Sequence, residues 1–260
     1  MLLVMDVGNT NIVVGAFDGD SLIKNWRIST DYKKSSDEIG MLLVQLLNHN
    51  SIDVDNIDAV IISSVVPQMM FSLERAVKRY LKNEPIVVSN DLKTGINILY
   101  DNPREVGADR VVNAVAVHHH YPGNAIIVDF GTATTFCALT KEGDYLGGVI
   151  CPGIKISLDA LIERTAKLPK IEIVRPKNII GTNTIESMQA GMVYGYAGQI
   201  ENIVARMKET MPADTKVIAT GGIASLMYET TSAIDILDSH LTLKGLKLIY
   251  EMNKNAQKDL

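Results

Sequence analysis

The feature that most constrains the fold is a short pattern that occurs twice, at residues 2–11 (LLVMDVGNTN) and 125–134 (AIIVDFGTAT). Each copy has four apolar residues, then an aspartate, one apolar residue, a glycine and small hydroxyl or amide residues. Such an apolar run is typical of a buried strand, and the glycine predicts a tight turn whose N–H groups can surround an anion. The aspartates, Asp6 and Asp129, are 123 residues apart in a chain of 260. The pattern therefore predicts a duplicated domain with a nucleotide phosphate chain held between the copies.

The composition excludes several classes of protein. Lysine and arginine number 25 and aspartate and glutamate 30, a net charge of −5 without a basic stripe, so nucleic acid is not expected as a partner. The stretch before Asp6 lacks the basic start of a signal peptide, and no apolar run is long enough to span a bilayer. The two cysteines, Cys137 and Cys151, lack metal-binding spacing. We expect a cytoplasmic protein that does not associate with membranes.

The order of the predicted elements repeats, as a duplication requires. In the first half, three strands precede a helix that begins with a capping box of Ser35 and Glu38, and a second helix begins at Pro67 after a buried strand. In the second half, three strands over residues 124–150 repeat the meander and further helices follow. The expected fold class is α/β, with two βββαβα-type domains over residues 1–117 and 118–260.

The most polar stretch of the first half, residues 100–110 (YDNPREVGADR), precedes a helix predicted from Ala108 to His120. Asp109 falls in the first turn of that helix, where the helix dipole favours a carboxylate. Simple capping and a chemical role are both compatible with this position. Arg110 adds a fixed cation that capping does not require. The three consecutive histidines that end the helix point in different directions and predict no metal site.

The longest predicted helix, about 184–211, follows the sequence GTNT at residues 181–184. Its N–H groups suit an anion or a hydroxylated ligand, and ordinary capping by a threonine of this stretch is the alternative interpretation. The glycines at 191, 195 and 198 weaken a helix, so they predict the close approach of another helix. The buried face is predicted to carry Ile185, Met188, Met192, Tyr196, Ile200, Ile203 and Met207.

Six motifs, in this order and spacing, resemble the type III pantothenate kinases over essentially the whole chain. They are DVGNTN, YDNPREVGADR, DFGTATT, GGVICPG, GTNTIESMQAG and ATGGIA. That family belongs to the actin-like superfamily of ATPases and sugar kinases. The resemblance implies a duplicated ribonuclease-H-like fold with two domains flanking a nucleotide cleft. It also implies ATP-dependent phosphorylation of pantothenate to 4′-phosphopantothenate, the first step of coenzyme A biosynthesis.

The resemblance assigns a role to each matching residue. Asp109 would be the catalytic base, Asp6 would serve Mg²⁺, and Asp129 would bind a monovalent cation, K⁺ or NH₄⁺. The residues implied to bind ATP are Asp6, Val7, Gly8, Asn9, Thr10, Asn11, Ile12, Val13 and Thr132, with Gly221 and Gly222 on the adenosine side. Those implied to bind pantothenate are Tyr100, Gly107, Ala108, Asp109, Arg110 and Thr184. Family members are homodimers with active sites at the subunit interface, so a homodimer is expected.

Two other functions remain open from the sequence. One is a different kinase or a phosphohydrolase of the same superfamily, although a zinc-bearing sugar kinase is disfavoured because no Cys/His cluster is evident. The other is a non-catalytic ATP-binding regulator, against which the complete set of Asp6, Asp109, Arg110 and Asp129 argues. The chain has no GxxxxGK[ST] loop and no GxGxxG sequence, which excludes a P-loop NTPase and a dinucleotide-binding Rossmann domain.

Overall fold

The computed structural model describes residues 1–254, and the chain divides into two compact units with one β-sheet each. Unit 1 comprises residues 1–96, 102–116 and the C-terminal segment from Thr242, and unit 2 comprises residues 97–101 and 117–241. Among the described residues, no helix has the length and apolar character needed to cross a membrane.

The strands are β1 (Leu2–Val7), β2 (Asn11–Asp18), β3 (Ser21–Ser29), β4 (Ala59–Ser64), β5 (Ile86–Val87), β6 (Asn97–Ile98), β7 (Ala125–Phe130), β8 (Ala133–Leu139), β9 (Asp144–Pro152), β10 (Lys216–Gly221) and β11 (Ile236–Leu237). The α-helices are α1 (Ser36–His49), α2 (Pro67–Tyr80), α3 (Ala108–His120), α4 (Ile154–Glu163), α5 (Thr184–Lys208), α6 (Ala224–Thr230) and α7 (Leu241–Asn253). Short 3₁₀ turns cover Val54–Asn56 and Pro103–Glu105.

The sheet of unit 1 has the order β3-β2-β1-β4-β5, in which β1 is antiparallel to β2 and parallel to β4. Alternate residues of β1 pack on opposite faces, because successive side chains of a strand point to opposite sides. Leu3, Met5 and Val7 pack in a cluster with residues of α1 and α2, whereas Val4 packs in a cluster with residues of α3 and α7. Both faces of β1 are therefore covered, and its polar end at Asp6 is left for a site.

The sheet of unit 2 has the order β11-β10-β7-β8-β9-β6 and repeats the same central arrangement. The strand β7 is antiparallel to β8 and parallel to β10. Ile126, Val128 and Phe130 pack in a cluster with residues of α4, α5 and α6. The predicted α/β class and the predicted repeat of the three-stranded meander are confirmed.

The compact units differ from the predicted continuous domains, 1–117 and 118–260, in two places. The C-terminal helix α7 belongs to unit 1, because Leu243, Leu246 and Ile249 pack in the same cluster as Val4. Residues 97–101 belong to unit 2, because β6 pairs in parallel with β9. Neither contact has a local signal in the sequence, since the partners are far apart along the chain.

The helix boundaries and the buried face of α5 were predicted well, with one exception in that face. The capping box is present, with Ser35 Oγ accepting the Glu38 N–H at 3.3 Å and Glu38 Oε2 accepting the Ser35 N–H at 2.8 Å. In α5, Met188, Met192 and Ile200 are buried as predicted, whereas Ile185 is 48% exposed. The buried face of α2 is formed by Met69, Leu73, Ala76 and Val77.

Candidate active site

The first hairpin joins β1 to β2 in unit 1, and its turn comprises residues 8–11. The N–H of Gly8 donates to Asn11 O at 3.0 Å and closes the turn. A Cβ at Gly8 would lie 3.2 Å from that same oxygen, so glycine suits this tight approach. Asn9 and Thr10 are exposed at the tip, while Val7 and Ile12 at its base are buried. The tip therefore presents exposed backbone and polar side chains on a fixed base, as a phosphate-binding turn requires.

Asp109 lies at the same end of the unit 1 sheet as this hairpin. Gly107 has no Cβ, but a Cβ built at this position would lie 2.6 Å from Asp109 Oδ1. The same built Cβ would lie 3.7 Å from Val65 Cγ1. Val65 directly follows β4, and its N–H donates to Val7 O at 3.1 Å. Asp109 is thus connected to the hairpin in two steps: Gly107 lies near Val65, and Val65 is hydrogen-bonded to Val7. We call residues 6–11, 63–65 and 107–110 the first corner.

The environment of Asp109 raises the pKa of its carboxyl group, chiefly because the group is buried. The Arg110 N–H, which donates to Asp109 Oδ1 at 2.8 Å, and the charge of Arg110 both act in the opposite direction and lower the pKa. Arg110 itself is buried, with 7% of its surface exposed. A half-buried carboxylate with a raised pKa beside a buried cation is a candidate acid–base group.

The second hairpin joins β7 to β8 in unit 2, and its turn comprises residues 131–133. The N–H of Gly131 donates to Ala133 O at 3.1 Å, and the N–H of Gly153 donates to Thr132 O at 3.0 Å. At the end of β10, Gly221 has φ +100°, and an added Cβ would lie 2.6 Å from Phe130 N and 2.7 Å from Asp129 Oδ1. We call residues 129–133, 153 and 220–222 the second corner. The Gly221–Gly222 turn lies against Asp129, a contact that the sequence did not predict.

The oxygen donors of both corners fit the cations that the sequence suggests. Asp6 has Ser63 as its register partner on β4, which gives a carboxylate and a hydroxyl side by side. Asp129 lies in register between Thr135 on β8 and Thr220 on β10. Within residues 1–254, no group of three or more His, Cys, Asp or Glu side chains is placed to hold a metal ion. Such sparse oxygen sites suit Mg²⁺ that retains water and phosphate ligands, and they suit a monovalent cation.

The remaining predicted substrate residues, Tyr100 and Thr184, lie in unit 2, whereas residues 107–110 lie in unit 1. Tyr100 packs near Tyr145, with ring centroids 6.3 Å apart. Thr184 lines a cavity of about 580 Å³ at the start of α5, together with Asn183, Ser187 and Met188. Asn183, not Thr184, caps α5 by accepting the Glu186 N–H at 3.0 Å. The N-cap of α5 is therefore an asparagine and not a threonine, as the alternative interpretation had it.

Two polar residues of the first corner region were missed by the sequence reasoning. Thr30, just after β3, donates its hydroxyl to Gly8 O at 2.6 Å and its N–H to Thr10 O at 3.0 Å. Ser63 on β4 is completely buried beside Asp6. The only available signal for Ser63 was a polar pair inside the apolar run VIISSV, and Thr30 had none.

A family model described as type III pantothenate kinase matches residues 2–206. The chain belongs to the type III pantothenate kinase family. The match includes both hairpins, Asp109 and Thr184, whereas the Gly221–Gly222 turn of the second corner lies beyond the matched residues. Family membership supports a kinase that uses ATP, with a role in coenzyme A biosynthesis.

Solved structures similar to this pantothenate kinase family member share its fold at low identity. A Campylobacter jejuni protein described as a candidate Baf family transcriptional activator is 17% identical with a TM-score of 0.59, over 97% of this chain and 99% of that one. A candidate 2-dehydro-3-deoxygalactonokinase from Sinorhizobium meliloti is 9% identical with a TM-score of 0.62, over 96% of each chain. The activator of 2-hydroxyisocaproyl-CoA dehydratase from Clostridium difficile, with bound ADPNP, is 12% identical with a TM-score of 0.53, over 100% of this chain and 97% of that one. The chain thus has the fold of the actin-like sugar kinase superfamily.

Proposed function

We propose that the protein transfers the γ-phosphoryl group of ATP to the primary hydroxyl of pantothenate, forming 4′-phosphopantothenate and ADP. The observation that carries this proposal is the position of Asp109, whose carboxylate lies over Gly107 in the first corner, within a family match that covers residues 2–206. The family name supplies pantothenate as the acceptor, and the first corner supplies a carboxylate suited to accept the proton of a hydroxyl.

Three parts of the first corner, namely Asp109, the turn at residues 8–11 and Arg110, have a defined task in this reaction. The hydroxyl oxygen of pantothenate forms a bond to the γ-phosphorus, the bond to the ADP oxygen breaks, and Asp109 accepts the hydroxyl proton. Phosphoryl transfer has a loose transition state, so the protein contributes mainly position and charge neutralisation. The exposed tip of the turn, at Asn9 and Thr10, would supply N–H groups for the phosphates, and Arg110 supplies a buried positive charge beside the base.

The cation sites complete the charge balance of the proposal. Mg²⁺ served by Asp6 and K⁺ or NH₄⁺ held by Asp129 would neutralise phosphate charge when they are bound. Thr132 and the Gly221–Gly222 turn would contact ATP from unit 2. The hydroxyls of Thr135 and Thr220 on either side of Asp129 favour a monovalent cation, because they add neutral oxygen ligands to one carboxylate.

The substrate contacts of unit 2 and the expected homodimer form a further part of the proposal. Thr184 lines its cavity with a hydroxyl that is not the cap of α5, which suits a contact with a hydroxylated substrate.

Within residues 1–254, a Cβ added at Gly191, Gly195 or Gly198 would meet no atom within 4 Å. The close approach that these glycines predict is therefore assigned to a second copy of the chain. Light scattering should report a dimer, and a monomer at micromolar concentration would contradict this assignment.

The proposed function is tested by coupling ADP release to the addition of one acceptor at a time. Pantothenate is compared with glucose, acetate and polyphosphate, first in KCl and then in NaCl. We expect ADP release that requires pantothenate and is faster in KCl. Release with another acceptor would indicate a different kinase of the superfamily. ATP binding without turnover on any acceptor would indicate a regulator.

A further inference from the structure

One buried hydroxyl in the first corner makes no hydrogen bond to the rest of the described structure. The side chain of Ser63 is completely buried, and its hydroxyl has no hydrogen-bond partner among the residues that the structure describes. The next residue, Ser64, behaves in the usual way, since its Oγ accepts the Val66 N–H at 3.0 Å. Buried polar side chains in native proteins almost always have a partner, so the Ser63 hydroxyl requires an explanation.

The position of Ser63 relates it to Asp6. The two residues are register partners in the parallel pair of β1 and β4, and neighbouring strands are about 4.8 Å apart. Val4 and Ile61, which precede them by two residues, pack in one core cluster, so Asp6 and Ser63 project from that same face of the sheet. Asp6 is only partly buried. The pair therefore has a buried hydroxyl and, beside it, a carboxylate that is partly exposed to solvent.

We propose that Ser63 is a further member of the cation site of Asp6, and that a water molecule brought by Mg²⁺–nucleotide becomes the partner of its hydroxyl. This inference rests on the proposed function, because that function places Mg²⁺ at Asp6. A hydroxyl without a protein partner lowers the stability of the ligand-free fold, and such a cost is typical of a group retained for binding. Ser63 acts as a positioning residue: it holds the hydrated cation against Asp6 and does not contact the reacting atoms.

The test separates binding from folding by means of Ser63→Ala. The change removes the hydroxyl and keeps the Cβ, so no existing hydrogen bond is lost. Thermal unfolding without metal and nucleotide should give a melting temperature equal to or above that of the wild type. Calorimetric titration with a non-hydrolysable ATP analogue should give about tenfold weaker binding in Mg²⁺, the effect of one lost hydrogen bond. In EDTA the variant and the wild type should bind the analogue equally.

A matched control is Thr134→Val. The Thr134 hydroxyl is also buried without a partner in the described part of the chain, and valine keeps its shape. Thr134 is the register partner of Phe130 and lies on the sheet face of Phe136, which is opposite to the face of Asp129. This control should match Ser63→Ala in melting temperature and should bind the analogue as the wild type does.

The outcomes distinguish the inference from the proposed function. A lower melting temperature for Ser63→Ala would show that the hydroxyl serves the fold, through a permanent buried water for example, and would overturn the inference. Equal loss of affinity in Mg²⁺ and EDTA, or no loss in either, would also overturn it. If the wild type binds Mg²⁺–nucleotide but never phosphorylates pantothenate, the proposed acceptor fails while the role of Ser63 can still be supported.

Discussion

The two hairpins are copies of one element, yet the residue at the end of the third strand differs between them. In the first hairpin this residue is Thr30, whose N–H bonds to Thr10 O at 3.0 Å and whose hydroxyl bonds to Gly8 O at 2.6 Å. In the second hairpin it is Gly153, whose N–H makes the same backbone bond to Thr132 O at 3.0 Å. The backbone hydrogen bond is common to both hairpins, and of the two residues only Thr30 adds a side-chain hydrogen bond to the turn.

The length of the turn explains this difference. The first turn has four residues, 8–11, and the second has three, 131–133. In the shorter turn a Cβ at Gly153 would lie 2.3 Å from Thr132 O and 2.7 Å from Gly131 O, so no side chain fits. The longer turn leaves space for a threonine that adds a hydrogen bond. The first corner should therefore be sensitive to lost polar groups, and the second to added volume.

The largest expected effect concerns the acid–base group, which the first corner has and the second lacks. Asp109→Asn keeps the size of the side chain but removes its ability to accept a proton. Turnover should fall by about 10²–10⁴-fold, the usual contribution of a general base. Nucleotide affinity should be unchanged, because Asp109 does not bind the phosphates. Steady-state rates and calorimetric titration on the same preparation measure both quantities.

The matched control for this variant is Asp37→Asn, which changes another aspartate in the first turn of a helix. Asp37 is exposed at the start of α1, and its Oδ1 accepts hydrogen bonds from Arg79 and Tyr80. Turnover should remain at the wild-type level, and only a small loss of stability is expected because the contacts are at the surface. If both variants lost turnover equally, the effect of Asp109 would belong to helix capping in general.

The second-largest effect is expected from Gly153→Ala, which adds volume to the second corner. The new Cβ would overlap Thr132 O, and overpacking of this kind costs about 1–3 kcal/mol in the free energy of unfolding. Gly131→Ala provides the comparison within the same hairpin, because its nearest atom would be Ala133 O at 3.4 Å, an ordinary contact. Urea unfolding should rank the two variants in that order. Equal stability of Gly153→Ala and the wild type would disprove the crowding argument.

A smaller effect is expected from Thr30→Val, which removes the hydrogen bond from the Thr30 hydroxyl to Gly8 O in the first hairpin. Loss of one hydrogen bond should cost about 1 kcal/mol of stability and raise the KM for ATP more than it lowers kcat. Thr230→Val is the control, because the Thr230 hydroxyl donates to Leu226 O at the same distance, 2.6 Å, far from either hairpin in sequence. It should cost similar stability and leave the KM unchanged. Thr30→Ser should restore the KM, and failure to do so would contradict a role for the hydroxyl.

The smallest effect is a shift of a pH profile. Burial raises the pKa of the Asp109 carboxyl group, so the reactive carboxylate forms at a higher pH than it would in an ordinary aspartate. As the pH falls through this raised pKa, kcat should decline. The stability of the fold changes with pH in the opposite direction. Because the pKa of Asp109 is raised, the folded protein binds this proton more tightly than the unfolded chain does. The free energy of unfolding should therefore fall as the pH rises from the unfolded pKa of about 3.9 to the folded pKa. Asp109→Asn should lose this dependence.

The elements of this fold could be predicted wherever the signal is local. The capping box of Ser35 and Glu38, Pro67 at the start of α2 and the bounds of α3 follow from side chains close in sequence. The two Asp-x-Gly hairpins follow from apolar runs that end at a glycine. These features depend on neighbouring residues alone, which a single sequence displays.

The parts that could not be predicted depend on distant partners. Thr30 reaches Gly8 only because β3 pairs with β2 in one register, and Ser63 faces Asp6 only because β4 lies beside β1. The short helix α6 carries few residues and no marked period, and helix α7 has no sequence signal for the unit it joins. Register and packing are decided by the whole sheet, so such neighbours become visible only in the structure.

The most direct test of the central claim identifies the product that the wild-type protein makes from ATP and pantothenate. Mass spectrometry and ³¹P NMR of the reaction mixture should show pantothenate carrying one phosphoryl group on its primary hydroxyl, in equal amount to the ADP formed. Asp109→Asn under the same conditions should give almost none. ADP with free phosphate and unchanged pantothenate, or full product formation by Asp109→Asn, would contradict the claim that the first corner is a phosphoryl-transfer site.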